Sequence, residues 1–276
     1  MGWRAQLSLH YTHAHGHTGA HDRHEGPLRV LQRLYPEGPA ICHHVVLHPP
    51  GGVVGGDELH LHATLETGAH ALITTPGATR FYRTDEHPAL QSVRLKLAPG
   101  ARLEWLPLEA IAHSGCKAES RVVAQLAPGA EMLAWDVLAL GLPSASQPFD
   151  AGSFTQHLEL QDAWLERGRL DAQDHALLHS PLGLAGHSTC ATLWWAAGEP
   201  LTSARRTRLL ESAREVVAAH PLAALAGVTA PQPSVVVLRA LARRVEPVMS
   251  LLNQVREVWR KEAWGLSATP PRIWQT

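Results

Sequence analysis

Polar and apolar residues alternate along several stretches of this chain, with the two-residue period of half-buried strands. From Glu58 to Thr67 the apolar positions Leu59, Leu61, Ala63 and Leu65 fall on one face of a predicted strand. The runs Val93 to Leu97 and Val122 to Leu126 alternate in the same way. Each of the three runs ends in a turn phrase: Glu66-Thr-Gly-Ala-His70, Ala98-Pro-Gly-Ala-Arg102 and Ala127-Pro-Gly-Ala-Glu131. Each phrase leads into another short apolar strand. A recurrence of roughly 30 residues is too long for a single hairpin and fits a two- or three-stranded unit repeated in a β architecture. From Trp3 to about Trp195 the pattern predicts many short strands and no helix.

The period then changes. Ser203 to Ala219 carries a helical stripe at Leu209, Leu210, Val216 and Val217, with Ser203 as its cap. Val235 to Leu241 reads as a buried strand. Glu246 to Trp264 reads as a second helix, with Pro247 tolerated in the first turn and Gly265 as its stop. The expected fold is mainly β within the α+β class, a β-rich body of short strands with two C-terminal helices packed on it. One domain spans residues 1–276, with the body over 1–200 and a helix–strand–helix portion plus a docked tail over 201–276. The tail, Pro-Pro-Arg-Ile-Trp, is too apolar to stay free in water. Trp194, Trp195, Trp259, Trp264 and Trp274 mark either core or interface.

Composition narrows the classes of function. The formal net charge is −1 over 276 residues, without the concentrated basic face that nucleic acid or an anionic membrane requires. Cys42, Cys116 and Cys190 are odd in number and far apart, which argues against a disulfide framework or thiolate zinc site and fits a reducing cytoplasm. The opening MGWRAQLSLHYTHAH lacks the apolar core of a secretion signal, and no apolar run reaches the ~20 residues that span a bilayer.

Candidate chemistry is scattered. Histidines crowd His10 to His24, and imidazoles such as His13, His15 and His17 bind divalent metals opportunistically. Their spacing matches no defined site, so a polar, solvated hairpin is the competing reading. In GGVVGGD the glycines open into a strand led by Asp57, which excludes a phosphate loop and predicts a demanding tight turn. Cys116 lies beside Lys117 and near His113, an invitation to thiolate chemistry, although a buried inert thiol is the commoner outcome. Asp136 interrupts the apolar run Leu133-Ala-Trp-Asp-Val-Leu, where a lone carboxylate is costly. A hydrogen-bonded structural partner or a polar path would justify it, and the residues alone favour the partner.

Six phrases, in order over nearly the whole chain, resemble the UreD (also called UreH) family of urease accessory proteins. They are GPLRVLQRLYPEG (Gly26 to Gly38), HPPGGVVGGDELHLHA (His48 to Ala63), ITTPGATRFYR (Ile73 to Arg83), LEWLPLEAI (Leu103 to Ile111), LAWDVLALG (Leu133 to Gly141) and PRIW (Pro271 to Trp274). The resemblance implies a non-enzymatic scaffold that binds UreF, reaches the GTPase UreG through it, and helps deliver nickel to the urease apoprotein. It implies no permanently bound cofactor, only transient Ni²⁺ as cargo. It further implies an internal path for the ion, onto which Asp57, Thr79, Asp136 and Glu166 map, Glu166 on a less distinctive phrase, LERGRL (Leu165 to Leu170). The sequence departs from the family pattern in the crowded His10 to His24 stretch, whose histidines are then auxiliary, and in His113 to Cys116. Two alternatives stay open: a His-rich nickel or zinc storage protein, and a small cytosolic enzyme on a β scaffold using Cys116 or Asp136.

Overall fold

The three turn phrases are the corners of a coiled sheet. The computed structural model describes residues 2–85 and 87–275. In chain order the body is built from β1 (Arg4–Ala14), β2 (His17–Glu25), β3 (Arg29–Val30), β4 (Ile41–Leu47), β5 (Glu58–Leu65), β6 (His70–Thr74), β7 (Thr79–Phe81) and β8 (Ala89–Leu97). It continues with β9 (Arg102–Leu106), β10 (Ala110–Ala112), β11 (Cys116–Leu126), β12 (Glu131–Leu140), β13 (Gly152–Leu160) and β14 (Trp164–Asp171). A single-turn helix, α1 (His175–His179), precedes β15 (Thr189–Ala197), then α2 (Ser203–Ala219), β16 (Ala226–Gln232), β17 (Val235–Ala242) and α3 (Val245–Trp264).

Among the described residues these strands form a seven-stranded sheet, β14-β13-β11-β8-β5-β1-β2, and a ten-stranded sheet whose main path is β16-β17-β15-β12-β9-β6-β4-β3. The chain alternates between the two. β5, β8 and β11 pair in parallel in the first sheet, and β6, β9 and β12 in the second. Each repeat is therefore one coil of a β-solenoid-like body. Hydrogen bonding continues through the corners: the amide of Ala98 donates to Leu65 (2.9 Å), that of Ala127 to Leu97 (3.0 Å), that of Arg102 to Ala69 (2.8 Å) and that of Glu131 to Ala101 (3.0 Å). Gly68, Gly100 and Gly129 take φ of 75°, 70° and 78°, which is why each phrase needs a glycine there.

Two apolar layers hold the coils. The inward sides of both sheets enclose the first, including Leu7, Leu61, Val93, Leu103, Phe154 and Trp194. The opposite side of the second sheet forms the other with α2 and α3, where Trp135, Leu193 and Trp195 meet Leu209, Leu251 and Trp259. β12 is buried along its whole length because it faces both layers, and this explains its continuous apolar reading. Seven of the nine tryptophans are buried, so tryptophan here is mainly core.

The two C-terminal helices fall where the pattern places them, with small differences. Helix α2 spans the expected residues, but Thr202 rather than Ser203 caps it, accepting from the Arg205 amide. Helix α3 ends at Gly265 in the left-handed region (φ 66°). β16 was hidden by Gly227 and Pro231, residues unusual in strands. The tail docks: Trp274 donates from Nε1 to Thr74 Oγ1 at 2.8 Å, and its ring lies 5.3 Å from that of Trp135. Residue 276 lies outside the described residues.

A charge network ties α3 to the solenoid. Arg256 Nε donates to Glu104 Oε2 at 2.8 Å, and Arg260 Nη2 to Glu37 Oε2 at 2.7 Å. Glu37 also bonds His43 at 2.8 Å. Burial pushes the Glu104 carboxyl up, but Arg256, the neighbouring His70 and Arg260 outweigh it and hold it down at about 2. His70 Nε2 stands 3.6 Å from Glu104 Oε1, too far for a hydrogen bond.

Candidate functional site: a carboxylate passage between the sheets

Asp136 leaves β12 on the side that faces the other sheet. Gln156 of β13 reaches across and donates from Nε2 to Asp136 Oδ1 at 2.5 Å. Burial pushes the Asp136 carboxyl up to about 6; the Gln156 bond opposes this and the charge of Glu166 adds to it. Asp136 thus has the hydrogen-bonded partner that the structural reading asks for, and the charge of Glu166 acts on it.

Glu166 comes from β14, at the edge of the first sheet. It accepts from Thr192 Oγ1 at 3.3 Å and from Arg239 Nε at 3.0 Å, with a further bond from Arg239 Nη2. Strand register explains the convergence. Asp136 pairs with Thr192, Thr192 with Arg239 and Arg239 with Gly227, a single row across β12, β15, β17 and β16. Directly paired residues share a face of a sheet, so the row runs from a buried carboxylate outward to a half-exposed guanidinium. Gln156, Glu166, Thr192, Cys190 and Arg239 line a cavity of about 520 Å³ whose remaining wall includes Leu177 of α1 and Leu184. Burial, Asp136 and Glu166 together push the Cys190 thiol up to about 12, so it stays protonated.

The other mapped positions lie elsewhere. Thr79 lines a separate, mostly apolar space of about 320 Å³, with Leu61, Val93 and Trp105 from both sheets and His48 and Gly52 from the glycine-rich turn. Asp57 anchors that turn. Its two carboxylate oxygens accept the amides of Trp3 (2.7 Å) and Val54 (2.9 Å). Asp136 and Glu166 thus lie near the same strand row, with Thr79 and Asp57 elsewhere.

His13, His15 and His17 sit at the tip of the β1–β2 hairpin. His15 occupies the left-handed region (φ 51°), and the His17 ring packs 5.1 Å from that of Tyr35. Among the described residues no group of three or more His, Cys, Asp or Glu is placed to hold a metal ion. Cys116 is fully buried, its thiol pushed by burial up to about 11, while Lys117 turns away to the Asp85 carbonyl. It is an inert thiol. Gln156, Thr192 and Arg239 were missed from sequence, although Arg239 in Val235-Val-Val-Leu-Arg-Ala gives the same signal as Asp136: one charge in an apolar strand.

Among the described residues, no helix is long and apolar enough to cross a membrane. The profile of the UreD urease accessory protein family matches residues 4–275. A protein of Polaromonas sp. strain JS666 is 57% identical over 99% of both chains, and one of Variovorax paradoxus strain S110 is 55% identical over 100% of both. A protein of Verminephrobacter eiseniae strain EF01-2 is 57% identical over 99% of both. All three bear the name urease accessory protein UreD, which describes an accessory factor rather than an enzyme. On matches that run through the whole repeat and into the docked tail, the chain belongs to the UreD family of urease accessory proteins.

Proposed function

We propose that this chain is a cytoplasmic scaffold of urease maturation that bridges UreF, and UreG through it, to the urease apoprotein and lets Ni²⁺ pass toward the urease active site. The observation that carries the path is the row Asp136–Thr192–Arg239, whose Thr192 and Arg239 both bond Glu166 at an open cavity. A conduit must hold its ion strongly enough to admit it and weakly enough to release it. Two carboxylates with a threonine hydroxyl and an amide meet that condition, whereas a closed thiolate cage would retain nickel. Nickel is cargo in this reading and no resident cofactor is required. Thr79 marks a second reach of the inter-sheet space, and Asp57 supports it by fixing the glycine-rich turn. The hairpin histidines gather metal weakly and are auxiliary.

The assembly is tested by mixing the purified chain with UreF and urease apoprotein and isolating the complex by size. Recovery of all three together is expected. A chain that binds nickel but neither protein would return the storage alternative.

A further inference from the structure

We propose that Arg239 is a displaceable plug of the passage: its guanidinium holds the cation position at Glu166 until a divalent metal ion takes it. The inference rests on the reading of Asp136 and Glu166 as a cation path. It starts from where Arg239 stands in the row. Asp136 and Thr192 are buried, and Arg239 is the next residue outward, with half of its side chain in solvent. Both of its bonding nitrogens, Nε and Nη2, are aimed at Glu166. A cation reaching Asp136 from this side meets Glu166 first, and Glu166 is already neutralised.

The plug is built to move. A half-exposed ion pair is weak, since water competes for both partners. The outer neighbour of Arg239 in the row is Gly227, and nothing lies within 4 Å of where a Cβ would stand there. The same holds at Gly168, the neighbour of Gln156 on the edge strand. Two glycines thus leave space beside the guanidinium and beside the amide that holds Asp136. A monovalent ion offers Glu166 no more charge than the arginine tethered there. A divalent ion offers twice the charge. Arg239 thereby selects for charge and keeps the passage closed while no metal is present.

The test is calorimetric titration of NiCl₂ into the full chain, in a background of His10→Asn, His13→Asn, His15→Asn, His17→Asn, His21→Asn and His24→Asn that lowers opportunistic binding, each variant read against this same background. If the guanidinium occupies the site about nine-tenths of the time, Arg239→Gln binds Ni²⁺ about tenfold more tightly. Arg239→Lys, which keeps the charge and loses the two-pronged fork, falls between. Glu166→Gln weakens binding, and Arg239→Gln adds nothing to it. Thermal unfolding confirms that each variant is folded, and the lysine variant serves if the glutamine variant is not. Unchanged or weaker binding in both arginine variants, with Glu166→Gln still weakening it, overturns the plug and leaves the path standing. Unchanged binding in Glu166→Gln overturns both.

Discussion

Asp136 carries a proton question that decides how the proposed passage behaves. Its carboxyl is raised from 3.8 to about 6 in the folded protein, first by burial and then by Glu166. The folded state therefore holds this proton more tightly than the unfolded chain does. The group's stabilising contribution is complete below pH ~3.8 and is lost as pH rises through about 6. Asp136→Asn cannot ionise, so its stability relative to the parent chain should increase across that window, by no more than about 3 kcal/mol. Thermal unfolding at a series of pH values measures this, and a constant difference would contradict the burial account. Nickel binding by the parent chain should run the other way and weaken below pH ~6 as the carboxylate is protonated. Asp136 was legible from sequence because a lone charge in an apolar strand needs a reason. Its partners were not: Gln156 is 20 residues away, and the Glu166–Arg239 pair spans 73. Only the stacking of two sheets brings them together.

At the scale of elements, the repeat was the most legible feature, since the glycine turn phrases mark one corner of each of three coils. What they could not reveal was that successive strands leave for the opposite sheet instead of pairing with each other. That choice rests on parallel pairing between coils, a long-range property. Gly100 tests it. An ideal Cβ there comes no closer than 3.9 Å to the amide of Gly68, so a side chain fits and only the left-handed backbone resists. Gly100→Ala should cost about 1–2 kcal/mol in chemical denaturation, leaving the fold intact. An unchanged midpoint would mean that the corner relaxes freely and does not hold the stack. α3 was equally legible from its apolar face and its Gly265 stop. β16 was not, because its glycine and proline give no strand signal and its place comes from pairing with β17.

The whole molecule depends on charge as well as on apolar layers. Glu104 is buried against Arg256 and Arg260, and Glu37 closes the network from the far side of the chain. Glu104→Gln leaves Arg256 without its counter-charge and Arg260 with Glu37 alone, and should cost about 3–5 kcal/mol, loosening α3 and the tail packed beside it. With Glu104 held at about 2, its contribution is present above pH ~4.5 and is lost only as pH falls toward about 2, so the variant's deficit should persist at neutral pH. A loss below about 1 kcal/mol at pH ~7 would show that the network adds little. None of this was read from sequence, where Glu104 entered only within the phrase LEWLPLEAI and Arg256 and Arg260 were not singled out. The central claim is that this scaffold also conducts the ion, and Asp136→Ala separates conduction from assembly. The decisive measurement is the nickel content of urease matured with this variant, taken together with the recovery of the UreF–urease complex. The account predicts normal recovery and nickel-poor urease. Loss of the complex, or urease fully loaded with nickel, would contradict it.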